Sequence, residues 1–163
     1  MRGIRRKDKA ITDIREMRKI LRTAQYVTLA MCSNDEPYLV SLSHGYDEER
    51  NCIYFHCAKE GKKIDILKAN NLVWGQAIVD HGYVQGACDH LYATTQFRGR
   101  VTFVEDIEDK EHALRVMIES LDDNAEEIIE KQLTPESIQR VTIGRVDIDY
   151  LSGKKASKIV ISL

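Results

Sequence analysis

The chain has 163 residues and a mass of 18.7 kDa, with 43% hydrophobic and 31% charged residues, which is one globular domain with enough chain to bury a sizeable core. Lys plus Arg number 24 against 26 Asp plus Glu, a net charge of −2, and this excludes the broadly basic face that nucleic-acid binding requires. Two prolines and nine glycines exclude low-complexity classes.

No apolar run approaches the ~18 residues of a membrane span. The basic start MRGIRRKDKA has no apolar stretch behind it, so a cytoplasmic domain over residues 1–163, with no membrane partner, is expected. Its basic residues read as a frayed arm. From Asp13 to Thr23, Ile14, Met17, Ile20 and Leu21 recur at helical spacing, with Thr12 as the expected N-cap. Tyr26 to Cys32 alternates as a strand, Ser33 to Pro37 is a turn, Tyr38 to Tyr46 is a second strand, and Cys52 to Cys57 a third. Short polar turns join the three into an antiparallel meander.

The period then changes. Ile64 and Leu67 mark a helix that stops at Asn70-Asn71, and Leu72 to Asp80 reads as a strand. His81 to His90 reads as an irregular loop. Leu91 to Glu105 alternates for about 15 residues, longer than a usual strand, which predicts a bend or bulge at Gly99. Asp109 to Leu121 and Asn124 to Lys131 read as helices, the second with Ile128 and Ile129 inward. Thr134-Pro135-Glu136 is a cap followed by proline at the first helical position. Val141 to Tyr150 is the last long strand, Ser152 to Lys155 a turn, and Ile159 to Leu163 an apolar tail. The fold class is therefore mainly β with flanking helices: a six-stranded antiparallel barrel.

The segment richest in chemistry is Tyr54 to Lys63, YFHCAKEGKK. A strand ends, a glycine turns the chain, and Lys62 and Lys63 open a helix. Unpaired N–H groups and the dipole at a helix start suit a phosphate, and two ammonium groups add to that. A solvated helix start is the alternative. No P-loop or GxGxxG pattern occurs, and no GxSxG elbow. His56 and Tyr54 share a strand face and could flank a ring; a hydrogen-bonded histidine at a barrel mouth is the alternative, and the same choice applies to His44. His81, His90 and His112 read as surface or loop histidines. Cys52, His56, Cys57, Cys88 and His90 match no zinc spacing, and the cysteines read as free thiols.

In their order along the chain, these motifs resemble one family. The N-terminal RRKDK, the YFHCAKEGKK block, the helix ending in LKANN, the strand YATTQFRGRV and Ser152-Gly153-Lys154 are similar to the pyridoxamine 5′-phosphate oxidase-like split-barrel flavoproteins, and most to their 5-nitroimidazole-resistance (Nim-type) branch. The resemblance implies a six-stranded antiparallel split β-barrel that forms a homodimer with FMN at the interface. It implies backbone contacts to the flavin from Val40, Ser41 and Leu42, and contacts along the ring and ribityl chain from His56, Cys57 and Ala58. Lys62 and Lys63 would take the phosphate, Gln76 would reach the ring, and Tyr92 and Thr94 would come from the partner subunit. Two departures stand out: Asn70-Asn71 replaces Asn-Pro, and Cys57 stands where a serine is frequent.

The implied activity is an FMN-dependent oxidoreductase that reduces a small acceptor of the nitroimidazole kind, with His56 as the catalytic residue. The alternative is a non-catalytic flavin or haem carrier or sensor on the same barrel, with His44, His56 or His90 as axial candidates.

Overall fold

The computed structural model describes residues 3–156. The apolar tail expected at Ile159 to Leu163 lies outside the described residues. A 3₁₀ turn at Lys7–Lys9 leads into β1 (Ala10–Ile11) and α1 (Ile14–Thr23). Then follow β2 (Val27–Ser33), β3 (Glu36–Leu42), β4 (Gly45–Asp47), β5 (Cys52–Cys57) and α2 (Lys62–Ala69). Two long strands come next, β6 (Leu72–Val84) and β7 (Asp89–Val104). Three helices, α3 (Ile107–Leu121), α4 (Ala125–Gln132) and α5 (Pro135–Arg140), precede β8 (Thr142–Lys155). Six strands have six residues or more and two are short, so the six-stranded expectation holds for the long strands.

The sheet runs β3-β2-β6-β7-β8-β5-β4, antiparallel at every pairing, with β1 added to β8. β3 and β4 stand at opposite ends of this path, yet only Ser43 and His44 separate them in the chain. Three Cα–Cα steps reach about 11 Å. The sheet must therefore curl until its two ends lie side by side, and it becomes a barrel split between β3 and β4.

This topology corrects the expected meander. β2 and β3 form a hairpin, but β3 does not pair with β5; the second strand breaks at Ser43–His44 and its remainder, β4, pairs with β5. The hairpin turn is shorter than expected, because Asn34 and Asp35 alone take it, at φ 51° and 61°. That backbone matches the twist of a two-residue β-turn. Pro37 falls inside β3, an edge strand, where its missing N–H costs no ladder bond.

Alternation decides the core. Val27, Leu29, Met31, Ile53, Phe55, Val73, Ala77, Phe97, Val101 and Val146 point inward, joined by Met17, Ile20 and Leu21 of α1. A second cluster forms outside the sheet, where Cys52, Tyr54 and Ile143 meet Ala113 and Met117 of α3. Each of two aromatic rings in the barrel lies over a cross-strand glycine. Phe97 covers Gly75, and Phe55 covers Gly144; an added Cβ at either glycine would fall inside the ring opposite.

The bulge predicted at Gly99 is present. The register between β7 and β8 shifts there, so that Asp149 is the extra residue, and Arg98 Nε donates to its Oδ1 at 2.8 Å. Other expectations change. Asp13, not Thr12, caps α1, accepting from Arg15 N–H at 2.9 Å. The irregular loop at 81–90 is a hairpin extension of β6 and β7 with a bulge between Asp80 and Tyr83. Ser152 to Lys155 is strand, not turn, because β7 on one side and β1 on the other give its backbone partners. The N-terminal segment is anchored at Ala10 and Ile11, where β1 adds to β8. Thr134 does cap α5, in a reciprocal box with Ser137 and with Pro135 at the start. Ile128 and Ile129 are half-buried.

Candidate functional site: one sheet face and a lysine pair

The outward face of the sheet carries two cross-strand rows. Ser41, Thr28, Gln76, Gln96 and Ser152 lie opposite one another across β3, β2, β6, β7 and β8. The next row is Leu39, Ala30, Trp74, Arg98 and Tyr150. The first row is polar and hydrogen-bonded: Thr28 and Ser41 hydroxyls meet at 2.9 Å, and Gln76 Nε2 donates to Thr94 Oγ1 at 2.9 Å. The Thr94 hydroxyl in turn donates to the Ala77 carbonyl at 2.8 Å. The second row is apolar from its β3 end to its centre, where Leu39 is 65% and Trp74 38% exposed.

Two hollows open on this face. One, of about 310 Å³, is lined by Gln76, Tyr92, Thr94, Gln96, Ser152 and Lys154, with Ile4 of the N-terminal segment as a wall. Its neighbour, about 320 Å³, holds Thr28, Ala30, Leu39 and Trp74 and shares Gln76 and Gln96 with the first. The sequence-predicted residues Gln76, Tyr92 and Thr94 thus meet in a single cavity of one chain. The bond from Gln76 to Thr94 means that the two enter any site together, from the same subunit.

Gln96, Ser152 and Lys154 also line this cavity, beyond the site residues that the resemblance implies. Gln96 could have been found, because Tyr92, Thr94 and Gln96 alternate on one strand face. Ser152 and Lys154 have the composition of a turn, and only their pairing with β7 and β1 sets their direction.

The remaining predicted residues lie on β3 and at the end of β5. β3 is an edge strand, so one side of its backbone has no strand partner. Val40 and Leu42 turn toward the core, while Ser41 is exposed. At the end of β5, His56 is exposed and Cys57 half-buried against the core. Burial pushes the Cys57 thiol up, against the opposing pull of Lys63, so it stays a protonated thiol at neutral pH. Ala58 follows in the exposed turn, and Gly61 takes φ 133° before α2, a backbone open to glycine alone without strain.

Lys62 Nζ donates to Glu36 Oε1 at 2.9 Å and sits 5.1 Å from the centroid of the Tyr38 ring. The hydrogen bond to Glu36, together with its charge, raises the Lys62 pKa. Lys63 Nζ lies 5.8 Å from the Phe55 centroid. Asn70 fixes the exit of α2, donating to the Cys32 carbonyl at 2.9 Å and accepting from Leu72 N–H at 3.2 Å. The helix therefore stops without the proline that the resemblance implies.

Tyr54 does not join His56 in flanking a ring. It is buried under α3, and Arg50 donates to its hydroxyl at 3.4 Å. His44 is buried, with Nε2 held 2.7 Å from the Leu21 carbonyl. His90 Nε2 lies 2.8 Å from Asp80 Oδ1, and His112, expected at the surface, is half-buried with Nε2 2.6 Å from Asp47 Oδ2. Among the described residues, no group of three or more His, Cys, Asp or Glu is placed to hold a metal ion. No helix there is long and apolar enough to cross a membrane.

A family model described as pyridoxamine 5′-phosphate oxidase matches residues 13–155. The chain belongs to that family. Solved structures agree with the split barrel. A candidate 5-nitroimidazole antibiotic resistance protein from Bacteroides thetaiotaomicron is 26% identical, with a TM-score of 0.76 over 89% of this chain and 85% of that one. A flavocytochrome from Azotobacter vinelandii shares the fold at 16% identity and a TM-score of 0.77, covering 94% and 72% of the two chains. An FAD-binding protein from Mesorhizobium loti does so at 22% and 0.65, covering 91% and 97%. No curated protein matches the chain. Within this family frame, the polar row and the lysine pair lie on the two ends of β3: Lys62 meets Glu36 at its start, and Ser41 joins the row near its end. Five residue steps along the strand separate those two points, roughly 17 Å.

Proposed function

We propose that the protein is an FMN-dependent oxidoreductase that works as a homodimer and reduces a small acceptor of the nitroaromatic kind. The observation that carries this reading is the placement just described: a cationic turn at one end of an edge strand, and a polar cavity beside exposed Trp74 and Leu39 at the other. An elongated ligand with a phosphate at one end and a flat ring at the other suits that span. The likeness to a candidate nitroimidazole resistance protein and to flavin-binding neighbours supports it.

The residues fit such a ligand. Lys62 and Lys63 would hold the phosphate by charge-assisted bonds, with Lys62 exchanging Glu36 for it. The unpaired edge at Val40, Ser41 and Leu42 offers backbone donors and acceptors to the polar rim of a ring. His56, Cys57 and Ala58 would border the ribityl chain. Gln76, held by Thr94, would present its amide carbonyl to the ring, with Tyr92 alongside. The flavin, when bound, supplies hydride and electron transfer. His56 has no hydrogen-bond partner among the described residues, and its exposed imidazole would hold or pass a proton to the acceptor. The apolar sheet face around Leu39, Trp74 and Ile78 would be covered by the second subunit.

The deciding experiment is an absorption spectrum with an FMN titration. A flavin spectrum that shifts on binding, and nitroaromatic-dependent reoxidation faster than free FMN, is the expected result. Binding without turnover would favour a carrier, and a Soret band would favour haem. His44 and His90 already have their Nε2 atoms engaged, so His56 would be the axial ligand.

A further inference from the structure

We infer that the cavity between Tyr92 and Lys154 binds a planar carboxylate, and that the acceptor reduced by this protein carries such a group; the acceptor's role rests on the flavin reading above, whereas the anion site does not. The cavity holds about 310 Å³, the lower end of small-molecule sites. Its lining includes one charged side chain, Lys154, and no carboxylate. Around that charge stand two amides, Gln76 and Gln96, and two hydroxyls, Thr94 and Ser152. One aromatic ring, Tyr92, lies 5.9 Å from the Lys154 ammonium. A flat molecule can stack on the ring while its anionic end meets the ammonium.

The charge at this point is uncompensated for a structural reason. Successive residues of β8 face opposite ways. Lys155 turns to Glu16 and pairs with it at 2.5 Å, whereas Lys154 has no acidic partner among the described residues. Two nearby charges are already engaged. Arg6 is bound by Asp8 at 2.6 Å, and Asp80, opposite Tyr92, accepts from Gly82 N–H and pairs with His90 at 2.8 Å. Ile4 closes the side of the hollow, so the N-terminal segment forms one wall of the site.

The test uses benzoate, and benzamide as its neutral isostere, titrated calorimetrically into the full-length protein with and without FMN. Benzoate should bind, and benzamide at least tenfold more weakly, since the neutral amide forms no charge-assisted hydrogen bond with the ammonium. Lys154→Met keeps the apolar stem and should lower benzoate affinity about tenfold without moving benzamide; Lys154→Arg should restore most of it. Absence of benzoate binding at millimolar concentration, equal affinity for the amide, or indifference to Lys154→Met would each overturn the inference. The isostere comparison needs no variant, so it decides even if Lys154→Met folds poorly. The parallel FMN titration separates the two readings. Benzoate binding without FMN binding keeps the anion site and overturns the acceptor role; FMN binding without benzoate binding overturns this inference alone.

Discussion

His112 Nε2 sits 2.6 Å from Asp47 Oδ2 and ties α3 to the turn between β4 and β5. Arg50 reinforces the tie, giving its backbone N–H to Asp47 Oδ1 at 3.0 Å and its guanidinium to Asp109 at 2.8 Å. This is the polar seam beside the second hydrophobic cluster, and it sets how firmly the helical layer stays on the barrel.

That seam makes stability depend on acid. Burial pushes the Asp47 carboxyl up, but the bonds from His112 and from Arg50 N–H outweigh it, and the net shift is downward from the ordinary 3.8. A carboxylate with a lowered folded-state pKa stabilises the fold above its unfolded value and loses that contribution as pH falls through the folded one. His112 is half open to solvent, so the contribution is about 1 kcal/mol. Asp47→Asn should lower Tm by a few degrees near neutral pH, and the gap to the unaltered protein should close below the carboxylate range. Circular dichroism melts between about pH 7 and 3 measure it; a gap that persists at the acid end would place the effect elsewhere.

The Phe97 ring occupies the space that a side chain at Gly75 would need. Gly75→Ala should cost about 3 kcal/mol or more, the upper range for overpacking a core. Combining it with Phe97→Leu should recover part of the loss, because the smaller side chain vacates the space. Urea denaturation of the single and double variants gives the coupling directly.

Lys62 is held by Glu36 at 2.9 Å, so a phosphate at this turn competes with a carboxylate. Lys62→Ala with Lys63→Ala should weaken FMN binding by roughly 100-fold, while riboflavin binding hardly changes. Glu36→Gln should tighten FMN several-fold by removing the competitor. Fluorescence titration resolves all three, and an unchanged FMN affinity in the double variant would assign the phosphate to another set of cations.

The sheet face with Leu39 at 65% and Ile78 at 39% exposure should be the dimer contact. Leu39→Lys with Trp74→Lys puts two charges there and should convert the protein from twice its chain mass to the single-chain 18.7 kDa in light scattering. FMN affinity should fall together with the dimer if both subunits complete the site. A dimer that survives both charges would move the interface off this face.

Local pattern was enough to read most elements. Cys52 to Cys57 alternates and is bounded by polar turns, and it forms β5 over those same residues. The overlong run ending at Glu105 carried its own bulge signal in Gly99, and the register does shift there. The YFHCAKEGKK block showed a strand passing through glycine into a helix, because turn chemistry and helical spacing are written in neighbouring residues. What sequence could not decide depends on partners distant in the chain. Tyr38 to Tyr46 looks continuous, but barrel curvature breaks it at Ser43–His44 and sends β4 to β5. Ser152 to Lys155 has the composition of a turn, yet β1 and β7 supply ladder partners on both sides and hold it extended. That pairing points Lys154 into the cavity and Lys155 to Glu16. Tyr54 and His56 share a strand face, as alternation requires, but α3 covers one and leaves the other in solvent. Periodicity determines which residues share a face; only packing against the rest of the chain decides what that face meets.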